Sequence, residues 1–539
     1  MRFRLPLLPL SLLLTSLSIP LSAQEVPAET VAPEPQVDAD TAGDASALPS
    51  MAEVEQAWQR GDFIFVRDGL KQLAEETGTP LAQYRYARVL VEGRGGPRDM
   101  TAALEWLQKA VAQNHSEAAT LLARLLLRGD AVGAPYDPER AATLLASAAA
   151  RGQAEAQYYL AQLSQSGTGT PQDPQAAFNW FLAAAEQDYV AAQYELAKAY
   201  SSGTGTEQSN EEGLRWLEKA ADAGHIEAQY FMANALETGG GVAQDRVAAL
   251  RWYRRAAEAG MPRAQRILGT RYLTGDGVDA NPDEALRWLE PAAKAGEPGA
   301  ILNLGSAYTN GTGLAQDDAL AVQWYRRGVQ AEIPRAMTAL GQLTEEGRGL
   351  PQDLDAAIKL YRSAATAEEP SARLRLGQMA VAGLLDGRVA PQRAVPWVLL
   401  AMQQDEDGAG DWLQSRADEG MRTAQLALGQ ELLSDPDRSA DGIALLTAAA
   451  EAGETAAQAL LGQAWATGDY GLEQDYVTAH SWLNLAAAGG NAGASETRDV
   501  IAALMTPEQI AQAQTRARDL YAAQAKMMPQ TEQSVVTGQ

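Results

Sequence analysis

A chain of 539 residues with a formal net charge of −26 and no cysteine excludes zinc–thiolate centres, cysteine nucleophiles and a lipid anchor built on a cysteine. The acidic balance repels nucleic acid and anionic lipid, so neither is an expected partner. With 46% hydrophobic but only 6% aromatic residues, the composition suits many small helix contacts rather than one bulky core.

In chain order, residues 1–23 read as a secretory signal. Arg2 and Arg4 precede a short apolar run around Leu10 to Leu17, and Leu21-Ser22-Ala23 offers a small-residue cleavage site. The run is too short to span a bilayer. The expected product is therefore periplasmic or secreted, starting near Gln24. Residues 24–50 are rich in Pro, Ala and acids and contain no Lys or Arg; they read as a disordered linker. A first helix pair is expected within 51–81, over Met51 to Arg60 and Phe63 to Thr77, as an N-terminal cap.

From Ala82 the chain repeats. Ala82, Ala118, Ala156, Ala192, Ala228, Ala264, Ala300, Ala336, Ala372, Ala424 and Ala457 each open a helical pattern, and the six spacings from Ala156 to Ala372 are all 36. Trp106, Trp180, Trp216, Trp252, Trp288, Trp324, Trp397 and Trp482 share one position on the second helix of the unit, as eight of the 11 tryptophans. That regularity predicts a core side chain between helix pairs rather than a ligand platform. Gly-x-Gly after the first helix, as in Gly167/Gly169 and Gly203/Gly205, supplies a left-handed helix end; it lacks the Lys-Ser/Thr of a phosphate loop. Seven residues before the Trp stands Asp99, Asp137, Asp173, Ser209, Asp245, Asn281, Asp317, Asp353 or Asp475. In register these are N-caps, not a calcium site. Alanine or glycine one turn into the first helix, as at Ala233, Gly305, Gly341 and Gly377, is expected to bring the paired helices close.

The array of 82–383 gives way to an irregular stretch, 384–423, where Ala372 and Ala424 are 52 apart and Trp412 follows Trp397 by 15. Ala390 and Arg438 stand where caps belong, and the acidic stretch Gln403 to Asp411 intervenes. A hinge is expected there, against the alternative of a bulge on a continuous array. Repeats resume over 424–493, a closing helix pair is expected at 494–527, with a Thr506/Gln509 capping box, and 528–539 reads as a disordered tail.

The unit A-x-x-x-L-G-x-x-Y-x-x-G-x-G-V…D-x-x-x-A-x-x-W-Y-x-x-A-A-x-x-G resembles the Sel1-like repeat, a branch of the tetratricopeptide superfamily, over roughly residues 82 to 500. The resemblance implies an all-α, right-handed α-solenoid of about eleven helix-turn-helix repeats with capping helices, and a scaffold or adaptor rather than an enzyme. It also places the residues two and six positions past the opening alanine on a concave face. These are Tyr158/Gln162, Tyr194/Lys198, Tyr230/Asn234 and Arg266/Thr270, a stripe suited to a peptide or helix of a protein partner. Packing within the array is the other reading of the tyrosines, and both stay open.

No cofactor, metal or catalytic residue is expected. The three histidines, His115, His225 and His480, share no local motif with an acid or a serine nucleophile, and the carboxylate pairs Glu211/Glu212, Glu345/Glu346 and Glu368/Glu369 fall at helix ends. The functional expectation is an exported scaffold in a cell-envelope or secretion assembly. The alternatives are a secreted factor binding a host or environmental protein, or a carbohydrate-processing periplasmic enzyme. One local exception to the acidic charge is the arginine cluster of Arg251, Arg254, Arg255, Arg263, Arg266 and Arg271.

Overall fold

The computed structural model describes residues 48–527. The expected signal, the linker as far as residue 47 and the tail from 528 lie outside the described residues. Within them the chain forms twenty-seven α-helices and no strand, an all-α solenoid of helix pairs. The helices fall into two compact units that divide between Leu268 and Gly269.

The opening alanine fixes each pair. All eleven, from Ala82 to Ala457, are 0% exposed, so any larger side chain there would push two helices apart. Nine caps on the second helices are made as the sequence predicts. Asp245 accepts the backbone N–H groups of Val247 and Ala248 at 3.0 and 2.9 Å, and the other eight side chains do the same at their helix starts.

The two glycines of Gly-x-Gly have separate jobs. Gly167 ends its helix at φ +75, donating its N–H to the Leu163 carbonyl. At Gly169 a Cβ would fall 2.1 Å from the carbonyl oxygen of Pro138, on the second helix of the preceding pair. The second glycine therefore sets how closely successive pairs approach.

Two sequence expectations are refined. The tryptophans are not the deepest side chains: Trp106, Trp180, Trp252, Trp324 and Trp397 are only half-buried. The residue after each of these five is deeper, with Leu107 0%, Tyr253 1% and Val398 0% exposed. A helix turns about 100° per residue, so the neighbour of the Trp faces the helix pair while the Trp ring lies along the joint. Trp252 there meets the cluster of Ala220, Ala221, Ala228 and Met232. Gly305 and Gly341, in turn, make room for rings rather than for backbone. A Cβ on them would meet the rings of Tyr325 and Tyr361 at 2.4 and 2.7 Å, whereas at Gly377 it would meet the Trp397 carbonyl oxygen at 2.3 Å.

A row of glutamines joins consecutive pairs. Gln157, Gln229, Gln425 and Gln458 follow the opening alanine, are buried, and donate Nε2–H to the carbonyls of Ala149, Ala221, Ala417 and Ala450 at 2.9–3.2 Å. Each adds a second hydrogen bond to a carbonyl in the last turn of the preceding helix, which also accepts a backbone N–H from the turn that follows.

The stretch 384–423 holds an inserted helix, Ala409–Asp418, after Pro391–Gln403. Ala409 and Leu413 are 0% exposed, and one hydrophobic cluster runs from Ala357 through them to Leu432. The extra length of the spacing is thus an additional second-type helix with no first-type partner. At the C-terminal end, Pro507–Met527 closes the array. Ser481 Oγ donates to the Ala513 carbonyl at 3.1 Å, and Gln524 Nε2 donates to that of Ala450 at 2.8 Å.

Candidate partner-binding face

The stripe two and six positions past the opening alanine lies on first helices, where i and i+4 side chains share a face. Within the first unit the helices Ala154–Ser166, Val190–Ser202 and Ile226–Thr238 place Tyr158, Tyr194 and Tyr230 in matching positions, all half-buried. Gln162 Nε2 donates to the Tyr158 hydroxyl at 2.8 Å. Lys198 Nζ lies 5.5 Å from the centre of the Tyr194 ring and 2.7 Å from Glu195 Oε2. Asn234 is exposed and Arg266 half-buried. Thr270 belongs to the second unit, where its Oγ1 accepts from Asn303 Nδ2 at 2.7 Å.

The rings also build a joint between consecutive repeats within the first unit. Tyr158 meets Tyr189 at 5.1 Å and Tyr194 stacks on His225 at 4.4 Å, as Tyr84 meets His115 at 5.0 Å. Each contact reaches the residue just before the next first helix. The tyrosines thus pack between pairs and also line the face. Burial pushes the phenols of Tyr158 and Tyr194 well above their ordinary value, with nearby carboxylates adding to the shift. They stay protonated and available as hydrogen-bond donors.

Phe231, which the stripe reading missed, is 37% exposed. It stacks 6.3 Å from Tyr194 and meets Tyr230 edge-on at 5.4 Å, completing an aromatic strip over two units. Its signal was one position off the chosen stripe: an apolar ring where the preceding unit has Glu195.

Two of the three histidines, His115 and His225, serve as helix caps. Nδ1 of His115 and of His225 accepts the backbone N–H of Ala118 and Ala228 at 3.2 and 3.3 Å, capping those helices. Burial holds both below the ordinary histidine pKa, outweighing the opposing pull of Glu117 and Glu227. The carboxylate pairs are likewise engaged. Glu345 is clasped by Arg375 and accepts the Tyr361 hydroxyl at 2.9 Å, and Glu369 accepts from Thr338 Oγ1 at 2.9 Å and Ala372 N–H at 2.7 Å.

The sequence profile of the Sel1 repeat matches residues 80–115, 116–153, 154–189, 190–225, 226–261, 262–297, 298–331, 334–368 and 455–491. The stretch with the inserted helix falls outside these matches. The structure is similar to that of a protective antigen present in uropathogenic Escherichia coli strains, which displays an SLR fold; identity is 25%, over 86% of this chain and 98% of that one, with a TM-score of 0.55. A Sel1 repeat protein from Oxalobacter formigenes is 26% identical over 63% of this chain and 98% of its own, with a TM-score of 0.44. No curated protein matches the chain in sequence.

Proposed function

The chain belongs to the Sel1 repeat family, whose members generally mediate protein–protein interactions, and on that footing we propose that it is an exported scaffold for a cell-envelope or secretion assembly. The observation that carries the binding reading is the strip of Tyr158, Tyr194, Phe231 and Tyr230 on successive first helices, flanked by Gln162, Lys198 and Asn234. Rings held in place by their neighbours lose little entropy when a partner covers them, and the polar side chains between them can fix its register.

Export rests on the basic start, short apolar run and small residues of 1–23. No helix among the described residues is long and apolar enough to cross a membrane.

The test separates binding from packing. Combined Gln162→Ala, Lys198→Ala, Phe231→Ser and Asn234→Ala replacement is expected to abolish capture of envelope proteins by the purified array while leaving its melting curve in place. Tyr194→Ser is expected to lower the melting temperature as well. Unchanged capture by the combined variant would remove the groove from the proposal. Intact-mass analysis of the envelope fraction tests export, and a chain retaining Met1 would end that part.

A further inference from the structure

We propose that the outer face of the helix Arg246–Glu258 is a second docking surface, built for an acidic peptide segment of a protein partner. It lies on a second helix, whereas the strip above lies on first helices, and it stands independently of that reading. In a chain with 43 basic and 69 acidic side chains, residues 246–266 reverse the balance, with six arginines and a single carboxylate, Glu258.

Arg251, Arg254, Arg255 and Glu258 are spaced to share one helix face. With Asp222 and the half-buried Trp252 they line a surface hollow of about 400 Å³. The Arg255 guanidinium lies over the Trp252 ring, 4.6 Å from its centre, which orders the cation before any ligand arrives. Its carboxylate neighbour, Asp222, is 3.7 Å away and 65% exposed. Such a pair is loose and screened, so a partner's carboxylate can take over the guanidinium.

One turn before Arg251 stands Val247, 70% exposed. The same register position holds Thr101, Glu139, Gln175, Glu211, Asp283 or Asp355 in six other repeats and Ala319 or the half-buried Val477 in two, so Val247 is the one large apolar side chain that this position leaves exposed to water among these repeats. An apolar spot beside guanidinium groups calls for a ligand that alternates acidic and apolar side chains. A peptide offers this; a uniformly charged glycan or nucleic acid does not. The acidic remainder of the chain further disfavours any polyanion that extends past the patch.

Fluorescence anisotropy on the full chain, with a labelled Glu-Glu-Leu-Phe-Glu-Glu peptide as probe, tests the proposal. The natural chain is expected to bind with an affinity that falls as salt rises. Arg251→Glu with Arg255→Glu should weaken binding at least about tenfold, and Val247→Asp several-fold, each with an unchanged melting curve because these positions are exposed. The groove variant Gln162→Ala/Lys198→Ala/Asn234→Ala should bind the peptide as the natural chain does, so the two surfaces succeed or fail separately. Equal binding by the charge-reversed chain would overturn the proposal. So would equal binding of polyglutamate or polygalacturonate, which would make the face a plain polyanion patch, or loss of peptide binding in the groove variant alone.

Discussion

Between residues 154 and 261 three helix pairs repeat at one spacing, whereas residues 370–451 hold five helices in which that spacing fails. The regular stretch has a side-chain cap on each second helix, at Asp173, Ser209 and Asp245. In the irregular one Ala390, Gly408 and Arg438 provide none. Both keep the fully buried opening alanine and the glutamine bond behind it, at Gln229 to Ala221 and at Gln425 to Ala417. A cap contributes about 1 kcal/mol and a buried leucine about 2–5. The irregular stretch shows that burial at the joints holds a unit, while caps and glycines set its spacing.

As a proposal, hinge opening between Gly383 and Gly420 is read by limited proteolysis. First cleavage within 403–411 that leaves two folded fragments sustains it, and a stretch that resists protease ends it.

The largest mutational effect is expected at the buried joints of both regions. Tyr253→Ala should cost about 3–5 kcal/mol and Leu413→Ala about 2–5 in chemical denaturation, because the two side chains are 1% and 0% exposed. Trp252→Ala should cost less than Tyr253→Ala, and hydrogen exchange should place the loss in neighbouring helices first. A Leu413→Ala chain as stable as the natural one would make the inserted helix a mere appendage.

Next come the glycines. Gly205 and Gly387 have nearly the same φ, +72 and +73, but a Cβ at Gly205 would fall 2.0 Å from the Pro174 carbonyl oxygen while one at Gly387 meets nothing within 4 Å. Alanine at either should cost about 1–2 kcal/mol for the left-handed backbone. At Gly205 the crowding should add about 1–3 more. Equal melting temperatures for the two variants would deny the second glycine its part in spacing.

Capping should give smaller changes of opposite sign. Asp245→Ala should lower stability by about 1 kcal/mol, and Ala390→Asp should raise it by a similar amount, since Ala390 already has the extended φ −61, ψ 130 of a cap. Arg438→Asp should gain nothing, because φ −116, ψ 4 does not aim a side chain at the helix start. A gain at Arg438 equal to that at Ala390 would contradict this.

The smallest effect is a pH dependence read at two helices of the first unit. His115 and His225 cap through a neutral Nδ1 and have lowered pKa values in the folded chain. The unfolded chain therefore binds the extra protons first. Their contribution is full above the ordinary histidine value, declines as pH falls below it, and is gone below the folded value. Hydrogen exchange in Ser116–Arg128 and Ile226–Thr238 should accelerate over that window, and His115→Asn with His225→Asn should flatten the profile. An unaltered slope in that variant would assign the dependence elsewhere.

Much of the architecture was legible from residue spacing alone. A repeated unit leaves each cap, turn glycine and small residue at a fixed register, and these act within a few residues of themselves. That is why the nine second-helix caps and the Thr506/Gln509 box read directly from sequence and appear in the structure. Contacts between elements did not follow from the same reading. The pattern shows that Trp252 and Tyr253 are both large, but which of them faces the helix pair depends on how the helices are rotated against each other. The tyrosine stripe was found at Tyr158, Tyr194 and Tyr230, yet its stacking on Tyr189 and His225 and its extension through Phe231 arise from residues that the chain brings together from adjoining units. Local sequence determines where helices start and stop, because caps and glycines act on the nearest backbone. Only tertiary packing decides which side of each helix is covered, because that depends on the neighbouring pair.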